Sequence, residues 1–348
     1  MKKGELSRSD FIRLMELACL AGLASCVPGR PAPVVMKATH ALPTKSASVQ
    51  NATPLPKSDA IDEEIQQEEQ KNEASQPQKD QAYLGVARGA SPAQVTMAAL
   101  AAIGGIERFV NPGANVIIKP NICTEYYTYE YGATTNPEVV ATLVKLCLGA
   151  GAKRVRVMDE PFGGSAESAY GRSGIGEAVS AAGGEIELMN RNKYIDTPIP
   201  DGRDIKEWMI YHDIMTADVV IDVPIAKHHS LTRLSLAGKN LLGVIQRPGL
   251  IHANIGQRIA DLVSVVQPTL TVVDAIRTLM ANGPTGGNLD DVRVTNTVIA
   301  SHDIVAADAY AATLFDMKGS DIGYIQAAAD MGLGTLDLAS IKIEEVNV

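Results

Sequence analysis

Three stretches decide the fold: Ala114-Asn-Val-Ile-Ile-Lys119, Asn136-Pro-Glu-Val-Val-Ala-Thr-Leu-Val-Lys-Leu-Cys-Leu148, and Arg154-Val-Arg-Val-Met158. The outer two are short apolar runs of strand length, fitted to burial on both faces. The middle one is a helix with its punctuation in place. Asn136 stands at the N-cap, Pro137 at the first helical position, and Gly149-Ala-Gly151 closes it. The same alternation continues outward. Further strands are expected at Glu185–Met189, Val219–Val223, Leu270–Val273 and Asn296–Ala300, and a helix at Ser301–Phe315 with Asp303 near its start. Strands alternating with helices make an α/β fold, a largely parallel sheet with helices on both faces. Residues 81–348 are enough for one domain or two closely packed lobes.

In such sheets ligands bind beyond the carboxyl ends of the strands, which selects the segments that could carry chemistry. Lys119-Pro-Asn121 ends the first strand and offers a cation and an amide. Val223-Pro-Ile-Ala-Lys227-His228-His229 is followed by Ala237-Gly238-Lys239-Asn240-Leu-Leu-Gly243, the densest cluster of Lys and His in the chain. Buried cations need anions, metal or solvent, and Lys227, His228, His229, Lys239 and Asn240 suit an anionic ligand. On an extended chain the two adjacent histidines point to opposite sides, so at most one of them faces any single ligand. Asp274 ends another strand ahead of Gly283-Pro-Thr285-Gly286, where glycines let backbone N–H groups approach a ligand or metal. Asp303 reads as a helix cap. Asp308, mid-helix among alanines, needs a partner if buried. Asp159-Glu160 is a further strand-end acidic pair.

Residues 81–348 hold 21 Lys and Arg against 29 Asp and Glu, a net charge of −8. No basic patch with interleaved aromatics occurs, which argues against nucleic acid as a partner. The start of the chain carries an export signal. Lys2, Lys3, Arg8 and Arg13 precede an apolar run from Leu14 to Ala24, too short for a membrane span of roughly 20 residues. Leu23-Ala-Ser-Cys26 resembles the bacterial lipobox. That resemblance implies a signal peptide at 1–25, a lipid on Cys26, and a protein tethered to the membrane on the extracytoplasmic side of the cell envelope. Ser7-Arg8-Ser9-Asp10-Phe11-Ile12 resembles the twin-arginine export pattern with one arginine replaced by Ser9. Residues 26–80, rich in Pro, Ala, Ser and Thr and then acidic and Gln-rich, read as a disordered linker. Only Cys123 and Cys147 remain in the domain, too few for a four-cysteine iron–sulfur cluster from one chain.

Taken in order, several of these segments resemble one family. They are Lys119-Pro-Asn121, Gly149-Ala-Gly-Ala-Lys153, Val223-Pro-Ile-Ala-Lys-His228, Gly238-Lys-Asn-Leu-Leu-Gly243, Pro268-Thr-Leu-Thr-Val-Val-Asp274, Gly283-Pro284 and Ser301-His-Asp-Ile-Val-Ala-Ala-Asp308. Their order is that of the family catalogued as domain of unknown function 362, and the similarity runs from Lys119 to Phe315. The family's activity is not established; some relatives carry ferredoxin-type iron–sulfur modules. A second resemblance is to lactate racemases, in which a glycine-preceded lysine carries a nickel-pincer nucleotide. On that resemblance Lys239 would hold the cofactor, His252 would ligate nickel, and His228 or His229 would move the substrate proton.

The leading expectation is a polar cleft that binds an anionic small molecule or cofactor, with a divalent metal at Asp274 and His252 as one option. The alternatives are a metal- or cofactor-dependent oxidoreductase or racemase, and a non-catalytic solute-binding lipoprotein.

Overall fold

The computed structural model describes residues 82–348. The expected signal peptide, the linker and Cys26 lie outside the described residues. The chain runs β1 (Leu84–Arg88), α1 (Pro92–Ala102), β2 (Asn115–Pro120), α2 (Pro137–Gly149), β3 (Arg154–Val157), α3 (Ala166–Ser173), α4 (Ile175–Ala181) and β4 (Glu185–Ile186). A hairpin of β5 (Tyr194–Pro198) and β6 (Glu207–Tyr211) follows, then α5 (His212–Thr216), β7 (Val219–Val223), β8 (Ile225–His229), β9 (Arg233–Ser235) and the single turn α6 (Ala237–Asn240). The rest is α7 (Ile255–Val266), β10 (Leu270–Leu279), β11 (Val292–Ser301), α8 (Ile304–Thr313), α9 (Gly323–Asp330) and β12 (Ile343–Asn347).

One ten-stranded sheet organises these elements, in the order β12-β1-β11-β10-β7-β2-β3-β4, with β8 and β9 attached beside β10. From β10 to β4 every neighbouring pair is parallel. β11 runs against both β10 and β1. The expected α/β architecture is therefore present.

Side-chain alternation divides the sheet between two cores. Val116 and Ile118 face a layer built from α1, α2, α3 and α4. Ile117, between them, faces the other layer, built from α7, α8 and α9. Val272 and Val273 divide in the same way, as do Ala300 and Ile299. β2 is buried over its whole length after Asn115, as a central parallel strand must be. The helix caps hold as read. Asn136 Oδ1 accepts from Glu138 N at 2.9 Å, and Asp303 accepts from Val305 N and Ala306 N.

The structure departs from the sequence reading chiefly after β7. Pro224 has no N–H to donate to the sheet, but the chain continues past it in the register of β7, with Ile225 opposite Asp274. The register shifts beyond Ile225, so that Lys227 lies opposite Leu279. The basic stretch 227–229 is therefore a strand at the carboxyl edge of the sheet. β1, β12 and the β5–β6 hairpin were not anticipated, and β4 is shorter than the expected Glu185–Met189.

Candidate functional site

The strands β2, β3 and β8 all run out at one edge, and the segments that follow them enclose a cleft of about 460 Å3. Its floor begins with Lys119. This buried side chain pairs with Asp159 Oδ1 at 2.7 Å and donates to Asn240 Oδ1 at 2.8 Å and to Pro120 O at 2.9 Å. Asp159 Oδ2 accepts from Ile122 N at 2.6 Å, so the strand end after β3 holds the strand end after β2. Burial pushes the Asp159 carboxyl up, and Lys119 opposes that rise.

Asn240 links the floor to the core. Its amide nitrogen donates to Asp222 Oδ1 at 2.8 Å, and its oxygen also accepts from Asn121 Nδ2 at 2.9 Å. Asp222 is fully buried, and its Oδ2 has no hydrogen-bond partner among the described residues. Burial drives this carboxyl well above the ordinary range despite the nearby Lys119. Lys227 completes the network, donating to Asn121 Oδ1 at 2.8 Å and to Ala133 O at 2.7 Å. Burial lowers its amine from the usual lysine range.

Lys239 differs from the other two lysines. It lines the cleft, yet no hydrogen bond or ion pair holds its amine among the described residues. Burial first, and then the charge of Lys227, bring its amine down to about 8. The turn that presents it is fixed from below. Asp308 Oδ1 accepts from Ala237 N at 2.7 Å and Oδ2 from Gly238 N at 2.9 Å. The buried mid-helix carboxylate thus finds its partner in the buried N-terminal N–H groups of α6. A Cβ on Gly238 would meet the Tyr324 ring at 3.2 Å, and a Cβ on Gly243 would lie 2.0 Å from Asp159 Oδ1 and 2.8 Å from Lys119 Nζ. The two glycines of Gly238-Lys-Asn-Leu-Leu-Gly243 therefore let this turn lie against the floor.

Two imidazoles share the cleft with this amine. His229 lines the cleft, and its Nδ1 accepts from Leu231 N at 3.1 Å, which leaves Nε2 for the cleft. Burial, then Lys239, hold it neutral, with a pKa lowered to about 3. His252 is lowered by burial and then by Lys239.

Of the residues singled out in the sequence, Lys119, Asn121, Asp159, Glu160, Lys227, His229, Lys239, Asn240 and His252 line this cleft. His228, Asp274, Gly283, Thr285 and Gly286 do not. His228 points away, and its Nδ1 accepts from Gly283 N at 3.1 Å. Gly283 is a close-approach glycine, since a Cβ there would lie 1.9 Å from His228 O. Its loop contributes Pro284 to the wall, while Thr285 and Gly286 stand outside. Asp274, expected as a metal ligand, is fully buried in the sheet. Its carboxylate accepts from Asn136 N at 2.6 Å and Ile276 N at 2.9 Å, which ties the start of α2 to β10. Among the described residues no three His, Cys, Asp or Glu side chains are grouped to hold a metal ion. Asp222 and Cys123 were missed as members of the site. A carboxylate inside the apolar run Val-Val-Ile-Asp222-Val was the available signal for the first.

The fold and cleft define an α/β protein with a cation-lined pocket at the carboxyl edge of a mostly parallel sheet. The chain belongs to the family described as domain of unknown function (DUF362), whose model matches residues 116–313, from β2 to the end of α8. Every residue lining the cleft lies within that span. The chain is 28% identical over 242 residues to a thylakoid-associated protein of Synechocystis sp., covering 66% of this chain and 72% of that one. Among solved structures, the lactate racemase apoprotein from Thermoanaerobacterium thermosaccharolyticum aligns with a TM-score of 0.40 at 9% identity, over 70% of this chain and 56% of its own. A Thermotoga maritima protein aligns with a TM-score of 0.28 at 10% identity, over 48% of this chain and 47% of its own. This chain thus spans little more than half of the racemase.

Proposed function

We propose that the cleft binds a small organic anion, with the Lys239 amine as its principal charged contact. The observation behind this reading is that among the described residues Lys239 makes no hydrogen bond or ion pair, while Lys119 is neutralised by Asp159 and Lys227 is held by neutral oxygens. A desolvated cation without a counter-ion is costly, and a carboxylate or phosphate entering the cleft would remove that cost. Asn121 and His229 would add neutral hydrogen bonds. Thermal unfolding of the full chain with acetate, oxalate and inorganic phosphate tests this. A rise in Tm that saturates with anion and is lost in Lys239→Gln supports the reading, because a ligand stabilises only a fold it binds. Equal responses of the two proteins would end it.

A second reading makes Lys239 a point of covalent attachment for a metal-bearing cofactor. Its support is that His229 and His252 line the same cleft as this amine, which burial holds at about 8. The described residues supply no three-ligand protein site, so a metal would have to arrive with ligands of its own. Lys239 and His252 are the residues that would hold such a group, and His229 is the imidazole left to move a proton. Intact-mass measurement of the chain purified from its native envelope separates the readings. An added mass mapped to Lys239 favours attachment, and an unmodified lysine favours reversible binding.

A further inference from the structure

The cleft has a charged floor and an apolar wall. Among the described residues the two most exposed large apolar side chains are Phe162, at 64%, and Leu231, at 61%, and both wall this cleft. Leu242 and Pro248 stand with them. Leu250, also exposed, follows Pro248 by two residues. The wall is built into the site. Phe162 N donates to Cys123 O at 3.2 Å, and the N–H of Leu231 is the donor that orients His229. Scattered exposed hydrophobics are ordinary, but contiguous ones rimming a polar pocket mark a ligand surface.

We propose that the ligand is an anionic amphiphile, with its carboxylate or phosphate at Lys239 on the floor and its hydrocarbon part against Phe162, Leu231 and Leu242. This rests on the anion-binding reading and names the class of anion. A wholly polar ligand would leave Phe162 and Leu231 in water. A hydrocarbon chain would cover both while its headgroup satisfied the lone amine.

Calorimetric titration of the full chain with acetate, hexanoate and decanoate, each below its micelle concentration, tests the proposal. Decanol serves as the neutral control, and Phe162→Ser/Leu231→Ser as the variant. Both substitutions are at exposed positions, where most changes leave folding intact. Affinity is expected to rise with chain length by up to about 4-fold per buried methylene, and most of that gain is expected to disappear in the double variant. Decanol is expected to bind far more weakly than decanoate. Acetate and decanoate binding equally, with both lost in Lys239→Gln, would overturn the amphiphile while leaving the anion site standing. A chain-length gain unchanged in the double variant would overturn it too. No binding by any carboxylate, or decanol matching decanoate, would remove the anion site itself.

Discussion

Lys119 and Asp159 meet at 2.7 Å with almost no access to solvent. A buried pair of this kind adds little net stability, yet removing one partner strands the other charge. Asp159→Asn and Lys119→Met are each expected to cost about 3–5 kcal/mol. Lys119→Met/Asp159→Leu should cost less than the two single losses combined, and urea unfolding of the three variants measures this. Lys239 makes the opposite case, a charge awaiting a partner. Its amine is charged below a pKa of about 8 and neutral above it. Anion affinity should therefore be steady near pH 6–7 and fall as pH rises through about 8. Titration across that range checks it, and Lys239→Arg should bind on with no such fall, since its guanidinium stays charged.

The one-turn helix α6 has too few residues to stand alone. It is held by Asp308 from α8, whose carboxyl burial raises to about 7. The ordinary value is 3.8, so between these limits the folded chain keeps a proton that the unfolded chain has released. That contribution is complete below about 4 and is lost as pH rises toward 7. Asp308→Asn should remove this part of the pH dependence, and melts at pH 4.5 and 7.5 would show the difference between the two proteins narrowing or changing sign. Asp308→Ala leaves two buried N–H groups unpaired. It should cost about 1–3 kcal/mol for each and weaken anion binding through displacement of Lys239.

Local signals made much of this legible. The Asn136-Pro137 cap and the apolar runs of β2, β3 and β7 encode their elements within a few residues. The Lys227–His229 and Lys239–Asn240 clusters marked the cleft because cations are conspicuous where strands end. What stayed hidden was decided by long-range pairing. β1 and β12 come from opposite ends of the described residues. The strand expected to end at Val223 is followed past Pro224 by β8, which pairs with β10 and shifts register beyond Ile225. Asp274 carries the same strand-end signature as Asp159, but backbone N–H groups of Asn136 and Ile276 claim its carboxylate. Nothing local to Asp274 shows that.

At the scale of the whole molecule, the sheet sets the position of the cleft. Parallel strands deliver their carboxyl ends to one edge, and each edge loop contributes a side chain that no single loop could place. The lipobox-like Leu23-Ala-Ser-Cys26 adds a separate proposal, that a lipid on Cys26 tethers the chain to the membrane. Cys26→Ser should then leave the protein in the soluble fraction after cell lysis. If it still sediments with membranes, the tether lies elsewhere.

The central claim is that Lys239 makes this cleft an anion site. Calorimetric titration of the wild-type chain and of Lys239→Gln with one carboxylate at pH 7 tests it most directly. The account predicts saturable binding to the wild type and at least about a tenfold loss in the variant, the scale expected for a lost charge-assisted contact. Equal affinity in the two proteins would contradict it.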